Sequence, residues 1–218
     1  MTTISTGIRN PRNLSADAKG SIHDDATAAE LGFRGGTVAG DIHLEQFGGI
    51  LVEAFGRSWF ERGSLSLYFM HAMADSEPVE AQLEMGTAVL PTSNAQVTAR
   101  MLTPEGVTVA EGTASGGVTT EPTALHSRDR RGVDPSTLRM LRSVRIGGAI
   151  EVRNHRGPLM LDTEYTVTGR VLDVADTPKT EVLWFTTEAR EAGDTTGEPV
   201  ASLTMMTRLL KGSSPLYA

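Results

Sequence analysis

The strongest apolar periodicity lies in the segment IHLEQFGGILVEAF, residues 42–55. Its apolar side chains recur every three or four positions, as on the buried face of an amphipathic helix. The periodic positions are Leu44, Phe47, Leu51 and Ala54 or Phe55. We therefore predict one long helix here. Gly48 and Gly49 lower its helix propensity, which indicates close packing against a sheet or a ligand at that point.

Beyond Arg57 the pattern changes from helical to strand-like. Four segments alternate apolar and polar residues or are rich in β-forming residues, and turn residues separate them. These segments are SLSLYFMHAM, PVEAQLEM, AQVTARMLT and VTVAEGTASG. A helix followed by consecutive strands predicts an α+β fold with an antiparallel sheet. The residues before position 24 show no periodicity, so an irregular opening is expected.

A second strand-rich region follows, with DTEYTVTGRVLDV, TEVLWFTTEARE and EPVASLTMMTRLL as strand candidates. Its last two strands and the glycine-containing turn between them loosely repeat VTARMLT-PEG-VTVAEGTA, which indicates a weak internal duplication. The clear helix of this copy is PSTLRMLR, residues 135–142, with Asp134 positioned as its cap. The long helix would therefore be lost or shortened in the second copy.

These patterns divide the chain into two halves. Residues 1–118 form an N-terminal half that contains the long helix, and residues 136–218 form a β-rich C-terminal half. Residues 119–135 are polar, contain two prolines and lack periodicity. They are predicted to be a linker between the halves.

Composition and charge narrow the function classes. The 218 residues include 39% hydrophobic and 22% charged residues, as in globular proteins with a buried core. A net charge of -7 disfavours contact with a phosphate backbone, so no nucleic-acid partner is expected. The lack of cysteine excludes disulfides, thiolate metal sites and a cysteine nucleophile. Neither a secretory h-region nor a membrane-spanning apolar run is present, which favours a cytoplasmic protein without a membrane partner.

The segment before the long helix carries the candidate chemistry. DDATAAEL, residues 24–31, places acidic residues at the front of a short helix, near its positive dipole end, and Gly32 stops it. GFRGGTVAG then supplies four glycines in nine residues. This turn lacks the Lys-Ser/Thr of a P-loop and the strand-first context of a dinucleotide fold. HExxH, GxSxG and CxxC are absent, so metalloprotease, serine hydrolase and thiol redox functions have no support.

The run SIHDDATAAELGFRGGTVAG, residues 21–40, resembles the signature region of the MaoC-like (R)-specific enoyl-CoA hydratases and dehydratases of the hotdog superfamily. In that family Ile-His precedes a short Ala-rich helix, then Gly-Phe-x-Gly and a glycine that opens the central helix. LSLYFMHAMADSEPVEAQLE looks like the family's first two sheet strands, and the segment from WFTTEARE to TMMTR looks like its last hairpin. The resemblance implies a hotdog fold, a curved antiparallel sheet wrapped around one long helix, doubled in one chain with a degenerate second half.

The resemblance also implies a catalytic arrangement. In the family a carboxylate and a histidine hold a water at the double bond of a 2-enoyl thioester. A backbone N–H near the glycine that opens the helix binds the thioester oxygen. On this sequence the implied histidine is His23 and the implied glycine is Gly40. The family's aspartate lies five residues before the histidine, where this chain has Ala18, so Asp17 is the nearest upstream candidate.

Further candidates surround this arrangement. Asp25 and Glu45 are alternative partners of His23. The substrate-binding residues expected near the start of the long helix are Phe33, Arg34, Ala39, His43 and Glu45. Physical chemistry agrees with the implied roles, because an imidazole titrates near neutrality and a helix N-terminus stabilises a developing enolate oxygen.

Three functions compete on this fold. The resemblance implies a lyase that hydrates 2-enoyl thioesters or dehydrates 3-hydroxyacyl thioesters, with acyl-CoA favoured as substrate. No metal or redox cofactor is expected, and coenzyme A enters as part of the substrate. The rivals are an acyl-CoA thioesterase that uses Glu45 or Asp41, and a non-catalytic acyl-thioester binding protein or inactive partner subunit. Because hotdogs pair, a homodimer or a pseudo-dimeric monomer is expected.

Overall fold

The computed structural model describes residues 2–86, 94–128, 144–195 and 197–213. The described chain consists of an antiparallel sheet and short helices. The strands are β1 Thr2–Arg9, β2 Ser64–Phe69, β3 Val79–Met85, β4 Gln96–Leu102, β5 Thr108–Ser115, β6 Arg145–Asn154, β7 Tyr165–Asp176, β8 Thr180–Glu191 and β9 Ala201–Leu210. The helices are α1 Asp25–Glu30, α2 Gly40–Glu45, α3 Gly48–Phe55 and α4 Arg57–Arg62, and a 3-10 turn, Lys211–Ser213, follows β9.

All described strands belong to one sheet with the order β1-β3-β4-β5-β2-β6-β9-β8-β7, and every neighbouring pair is antiparallel. The predicted α+β class is therefore confirmed. The order β6-β9-β8-β7 mirrors β2-β5-β4-β3 across the β2–β6 contact. The β8–β9 pair thus occupies the place of β4–β5, and these are the two hairpins whose sequences echo each other.

Residues Thr2–Arg9 form a strand, so the expected irregular opening is wrong for this segment, whereas residues 10–24 contain no helix or strand. β1 pairs with β3 at the edge of the sheet, with a register shift between Ser5 and Ile8. Ile4 packs against the core, whereas Ile8 is exposed. Because so little of this strand is buried, its sequence carries no clear apolar alternation. Backbone pairing with β3 holds it in the sheet.

The predicted long helix is present but interrupted once. α2 and α3 are separated by Gln46 and Phe47, whose N–H groups donate to carbonyls three residues back rather than four. This 3-10-like tightening ends where Leu51 N–H donates to Phe47 O at 3.0 Å. A Cβ at Gly48 or Gly49 would meet no atom within 4 Å. The expected close packing of these glycines against the sheet does not occur.

The central helix α2–α3 packs on one face of the first half of the sheet. The buried residues of this core include Phe47, Leu51, Phe55, Leu65, Leu67, Leu83 and Met101. Burial alternates along β3, as expected for a strand with one face on a core. The two β2 leucines face the helix, so the alternate positions of β2 face the other way.

The opposite face of β2 is covered by the described part of the predicted linker. Ser66 Oγ accepts the Leu125 N–H at 3.0 Å, and Leu125 is fully buried. The Thr123 hydroxyl donates to the buried carboxylate of Glu151 on β6. Tyr68 packs against the apolar cluster that contains Leu125, which is separate from the core under the central helix. Residues 119–128 are therefore anchored where the two halves of the sheet meet.

Two sequence predictions lie outside the described residues, namely residues 129–135 of the linker and the helix at residues 135–142. From residue 144 to residue 213 the described chain contains no α-helix. Within the parts of the chain that the structure describes, no helix is long and apolar enough to cross a membrane.

Replacing Leu67 by Ala tests the importance of the core under the central helix. Leu67 is 0% exposed, so removing its side chain leaves a cavity and should lower the free energy of unfolding by about 2–5 kcal/mol. The matched control is Leu161→Ala, because Leu161 is 92% exposed and should change stability by less than about 0.5 kcal/mol. Urea denaturation measures the free energy of unfolding of both variants. An equal loss of stability in the two would contradict the packing of Leu67 under the central helix.

Candidate active site

His23 lies in a loop that is hydrogen-bonded on both sides. Thr37 N–H donates to Ile22 O at 2.8 Å, and Asn13 Nδ2 donates to His23 O at 2.8 Å. The ring nitrogen Nδ1 lies 2.7 Å from Thr37 O. A carbonyl oxygen only accepts, so Nδ1 carries the proton and Nε2 keeps its lone pair. Among the described residues Nε2 has no hydrogen-bond partner, so it can act as a base.

Gly36 brings the glycine-rich turn against this loop. Its N–H donates to Asp25 Oδ1 at 2.7 Å. A Cβ at position 36 would collide with the His23 carbonyl oxygen and would lie 2.9 Å from Asn13 Nδ2. Glycine is therefore required for the two backbones to approach this closely. Asp25, one alternative partner of His23 in the sequence analysis, binds the turn instead.

Helix α1 connects the histidine loop to the glycine-rich turn. Asp24 is its N-cap, and Asp24 Oδ2 accepts the Thr27 hydroxyl at 2.8 Å. This hydrogen bond, together with one from the Lys19 ammonium, holds the pKa of the Asp24 carboxyl below its ordinary value. At the other end Gly32 adopts φ +83°, and the N–H groups of Gly32 and Phe33 donate back to the last helical turn. This Schellman motif confirms the predicted glycine stop and places Phe33 directly after it.

α2 begins at Gly40 without a side-chain cap. Its N-cap is Ala39, which has an extended backbone and no side-chain oxygen for the first N–H groups. The Val38 N–H donates to Met73 O at 2.8 Å and holds the segment before the helix. A Cβ at position 40 would lie 2.8 Å from Phe69 Cε2. Glycine thus allows the start of α2 to pack directly on the Phe69 ring.

The start of α2 follows closely in sequence on the residue that contacts the His23 ring. The ring is hydrogen-bonded to Thr37 O, and only Val38 and Ala39 separate Thr37 from Gly40. Three residue steps span at most about 11 Å. The Gly40 N–H finds no acceptor in the described chain. The fold therefore brings a base with a free lone pair near a helix end that carries partial positive charge.

His43 is buried beside the same helix start. It is 3% exposed, its ring centroid lies 6.2 Å from that of Phe69, and Nδ1 has no partner among the described residues. Burial lowers the pKa of His43 to about 4, against a smaller opposing effect of Asp41. The ring is therefore neutral at pH 7. It can exchange hydrogen bonds with a polar group, but it offers no positive charge.

The candidate carboxylates are not attached to His23. Asp17 is exposed, and no hydrogen bond or ion pair within the described chain joins it to His23. Glu45 is exposed on α2, and Asp41 is exposed in its first turn, where Oδ1 accepts the N–H of the next residue at 3.0 Å. The structure thus places the start of α2 three residues after Thr37, whose carbonyl contacts the His23 ring, and leaves all three carboxylates facing solvent.

Arg34 is paired within the protein. Its guanidinium binds the two carboxylate oxygens of Glu77 at 2.7 and 3.0 Å and donates to Ala72 O at 3.1 Å. These bonds tie the glycine-rich turn to the β2–β3 connection. A phosphate bound by Arg34 would have to compete with Glu77.

Three residues of this neighbourhood were not singled out by sequence. The Thr37 carbonyl selects the His23 tautomer, the Asn13 amide holds the His23 carbonyl, and the Phe69 ring abuts Gly40. Each acts through a backbone atom or through a contact between distant segments. Neither kind of interaction produces a local sequence pattern.

No protein-family model and no curated protein matches this sequence. A solved structure from Chloroflexus aurantiacus J-10-fl, assigned provisionally as a MaoC-domain dehydratase, matches with a TM-score of 0.52 and 10% identity, covering 96% of this chain and 94% of that one. A Lactobacillus plantarum structure, assigned provisionally as an oleoyl thioesterase, matches with a TM-score of 0.51 and 12% identity, covering 96% of each chain. The chain has a hotdog fold. Both matches extend over nearly the whole chain.

The hotdog fold does not identify which reaction this chain catalyses. The two similar structures carry different assigned activities, although each matches this chain over nearly its whole length. One scaffold hosts several reactions, and identity this low establishes only the architecture. The choice between the two activities must therefore rest on where His23, Gly40 and the acidic residues lie.

Replacing Gly36 by Ala tests the close backbone approach that positions His23. The added Cβ would push against the His23 carbonyl, so the free energy of unfolding should fall by about 2 kcal/mol or more. Gly35→Ala is the matched control, because its Cβ would meet Asp25 Oδ1 at 3.5 Å and Ala74 Cβ at 3.9 Å, which are ordinary contacts. Its effect should stay within about 0.5 kcal/mol. Equal urea midpoints for the two variants would refute the constraint.

The buried His43 predicts a pH dependence of stability. Its pKa is 6.5 unfolded and about 4 folded, so the unfolded chain binds the extra proton between these values. Stability is therefore lost as pH falls from about 6.5 towards about 4, by up to about 3 kcal/mol from this residue. In His43→Leu this loss should disappear. Urea denaturation at several pH values measures both slopes.

His155 contributes in the same direction, because burial first and the Arg153 charge second lower its pKa. That contribution is present in the parent chain and in His43→Leu, so it cancels in the difference between them. Identical pH slopes for the two proteins would show that His43 is not buried as described.

Proposed function

We propose that this hotdog chain hydrates 2-enoyl thioesters or, in reverse, dehydrates 3-hydroxyacyl thioesters, with acyl-CoA favoured over carrier-bound acyl groups. The observation that carries the proposal is the fixed tautomer of His23. Its Nδ1–H is engaged by Thr37 O at 2.7 Å, which leaves Nε2 as a base near the start of α2. A hydratase needs such a base close to a site for the thioester oxygen.

In the hydration direction His23 Nε2 takes a proton from water while the water oxygen bonds to C3 of the enoyl group. The electron pair of the double bond moves towards the thioester carbonyl, whose oxygen becomes an enolate. The Gly40 N–H and the partial positive charge of the helix start stabilise that oxygen. The imidazolium then returns a proton to C2, which gives the 3-hydroxyacyl thioester and restores the neutral ring.

This scheme uses only the chain and its substrate. We propose that no metal or redox cofactor takes part and that coenzyme A enters as a component of the substrate. Ala39 and His43 lie at the start of α2, and we propose that they contact the acyl thioester together with Phe33. Asp17 is proposed to join His23 when the substrate is bound, since it lies only six residues before the histidine in the chain. We further propose a cytoplasmic protein that acts as a pseudo-dimeric monomer or as a homodimer.

A thioesterase is the second candidate, and the placement of the acids supports it. Asp41 and Glu45 lie exposed on the first turns of α2, where a carboxylate could activate water for attack on the thioester carbonyl. Asp17, by contrast, has no described bond to His23. The third candidate, an acyl-thioester binding protein without activity, would bind substrate but leave it unchanged.

Incubation with crotonyl-CoA and acetyl-CoA separates the three candidates. Loss of enoyl absorbance indicates hydration, release of free thiol indicates hydrolysis, and binding without either indicates the inactive protein. If hydration is observed, His23→Ala should lower its rate by about 10²–10⁴-fold, because the general base is removed. His126→Ala is the matched control, since His126 lies on the opposite face of the sheet beside Thr123, and it should retain the parent rate.

The acidic residues can be tested in the same assay. Under the hydratase proposal, Asp17→Asn should reduce the loss of enoyl absorbance, while Asp41→Asn and Glu45→Gln should affect it little. Under the thioesterase alternative, thiol release should instead depend on Asp41 or Glu45. An active hydratase that is unchanged by His23→Ala would refute the proposed role of that histidine.

A further inference from the structure

A cavity of about 530 Å³ lies on the face of the sheet opposite the central helix. Tyr68 reaches it from β2, and its neighbour Leu67 packs under the helix instead. Since successive strand residues point to opposite faces, the cavity and the candidate active site lie on different sides of the sheet. The volume is within the usual range for small-molecule sites.

Two guanidinium groups converge on the Tyr68 ring at this cavity. The Arg128 Cζ lies 3.3 Å from the ring centroid, and the Arg208 Cζ lies 5.4 Å from it. Arg208 Nη2 also donates a hydrogen bond to the Tyr68 hydroxyl oxygen. The contact of Arg128 with the ring face and the hydrogen bond of Arg208 to the hydroxyl hold both guanidiniums at the ring.

Neither guanidinium has a carboxylate partner in the described chain. This sets them apart from Arg34, Arg100 and Arg156, which form ion pairs with glutamate or aspartate. The described lining contains hydroxyls and apolar carbons but no acidic side chain. Two positive charges that no described carboxylate balances lie at one ring and repel each other, and a bound anion would relieve this repulsion.

The cavity wall offers hydrogen-bond donors in excess of acceptors. Arg128 Nε is buried without a partner among the described residues. The Tyr68 oxygen already accepts from Arg208, so its O–H remains available to donate. Next to these donors, Trp184, Val182 and Met206 supply an apolar wall. The donors are suited to hydrogen-bond an oxyanion, and the apolar wall is suited to contact a hydrocarbon or aromatic group of the same ligand.

We propose that this cavity is a binding site for a small organic anion, a phosphate or carboxylate joined to an apolar or aromatic body. The oxyanion lies between the Arg128 and Arg208 guanidiniums, and the Tyr68 hydroxyl donates to it. The body of the ligand packs on Trp184 and Met206. The site is separate from His23 and does not depend on the proposed reaction.

Calorimetric titration of the full chain with four probes tests the ligand class. Phenyl phosphate and benzoate carry an oxyanion on an aromatic body, inorganic phosphate lacks the body, and benzyl alcohol lacks the charge. Phenyl phosphate or benzoate should bind saturably, and whichever binds more tightly identifies the oxyanion. Benzyl alcohol should not bind. Inorganic phosphate should bind at least about tenfold more weakly than the tighter aromatic anion.

Variants then locate the binding. Arg128→Gln should weaken the tighter aromatic anion by about tenfold or more, because a charge-assisted contact is lost. Arg57→Gln removes the same charge from a side chain that is 90% exposed on α4 and should leave binding unchanged. Tyr68→Phe keeps the ring and removes the donor, so it should weaken binding several-fold while preserving the fold. His23→Ala should not alter it.

The fluorescence of Trp184 can report directly whether a ligand occupies the cavity. The chain has two tryptophans, and Trp59 belongs to the other core, so a Trp59→Phe background leaves Trp184 as the fluorophore. Ligand binding should change its emission with the same midpoint as in calorimetry. The proposal is overturned if no probe binds up to about 10 mM, if benzyl alcohol or inorganic phosphate binds as tightly as the aromatic anions, or if Arg128→Gln and Arg57→Gln behave alike.

Discussion

The alternation of side chains along β2 is the constraint on which the rest of the structure depends. Leu65 and Leu67 point to the central helix, while Ser66 and Tyr68 point to the opposite face. Because β2 also pairs with β6, it joins the two halves of the sheet. A shift of one residue in this strand would exchange the two faces and disrupt both cores at once.

The candidate active site depends on a second constraint, the approach of two backbones at Gly36. The histidine loop and the glycine-rich turn meet there without room for a side chain. This contact places the Thr37 carbonyl beside the His23 ring and thereby selects its tautomer. Main-chain geometry thus sets which ring nitrogen remains free, and two nearby acidic residues serve other tasks. Asp24 caps α1 and Asp25 holds the turn.

The two faces of the sheet differ in their electrostatics. Beside the helix start, His43 is neutral, the charge of Arg34 is met by Glu77, and the carboxylates of Asp41 and Glu45 face solvent. On the opposite face, Arg128 and Arg208 carry positive charge that no described carboxylate balances. The two faces of this one sheet therefore differ in the sign of the described charge near each site, with carboxylates at the helix start and guanidiniums on the opposite face.

The sequence by itself determined the local elements and the architecture. Apolar periodicity located the central helix, and strand-like patterns located β2 to β5 and β7 to β9. The glycine-rich segment after α1 carried the resemblance to the hotdog family. These features are readable because each repeats over many neighbouring residues or requires glycine. Strand β6, Arg145–Asn154, was not predicted. The edge strand β1 escaped notice because its burial is too slight to leave a pattern.

Only the tertiary structure decided which groups meet. Asp17 and His23 are close in sequence yet unconnected in the described chain, whereas Thr37 and Phe69 complete the neighbourhood of His23 and Gly40 from elsewhere. Arg128 and Arg208, 80 positions apart, share one tyrosine ring. Such contacts arise from the register of paired strands and from the crossing of loops. Both are set by long-range packing, which local sequence patterns do not encode.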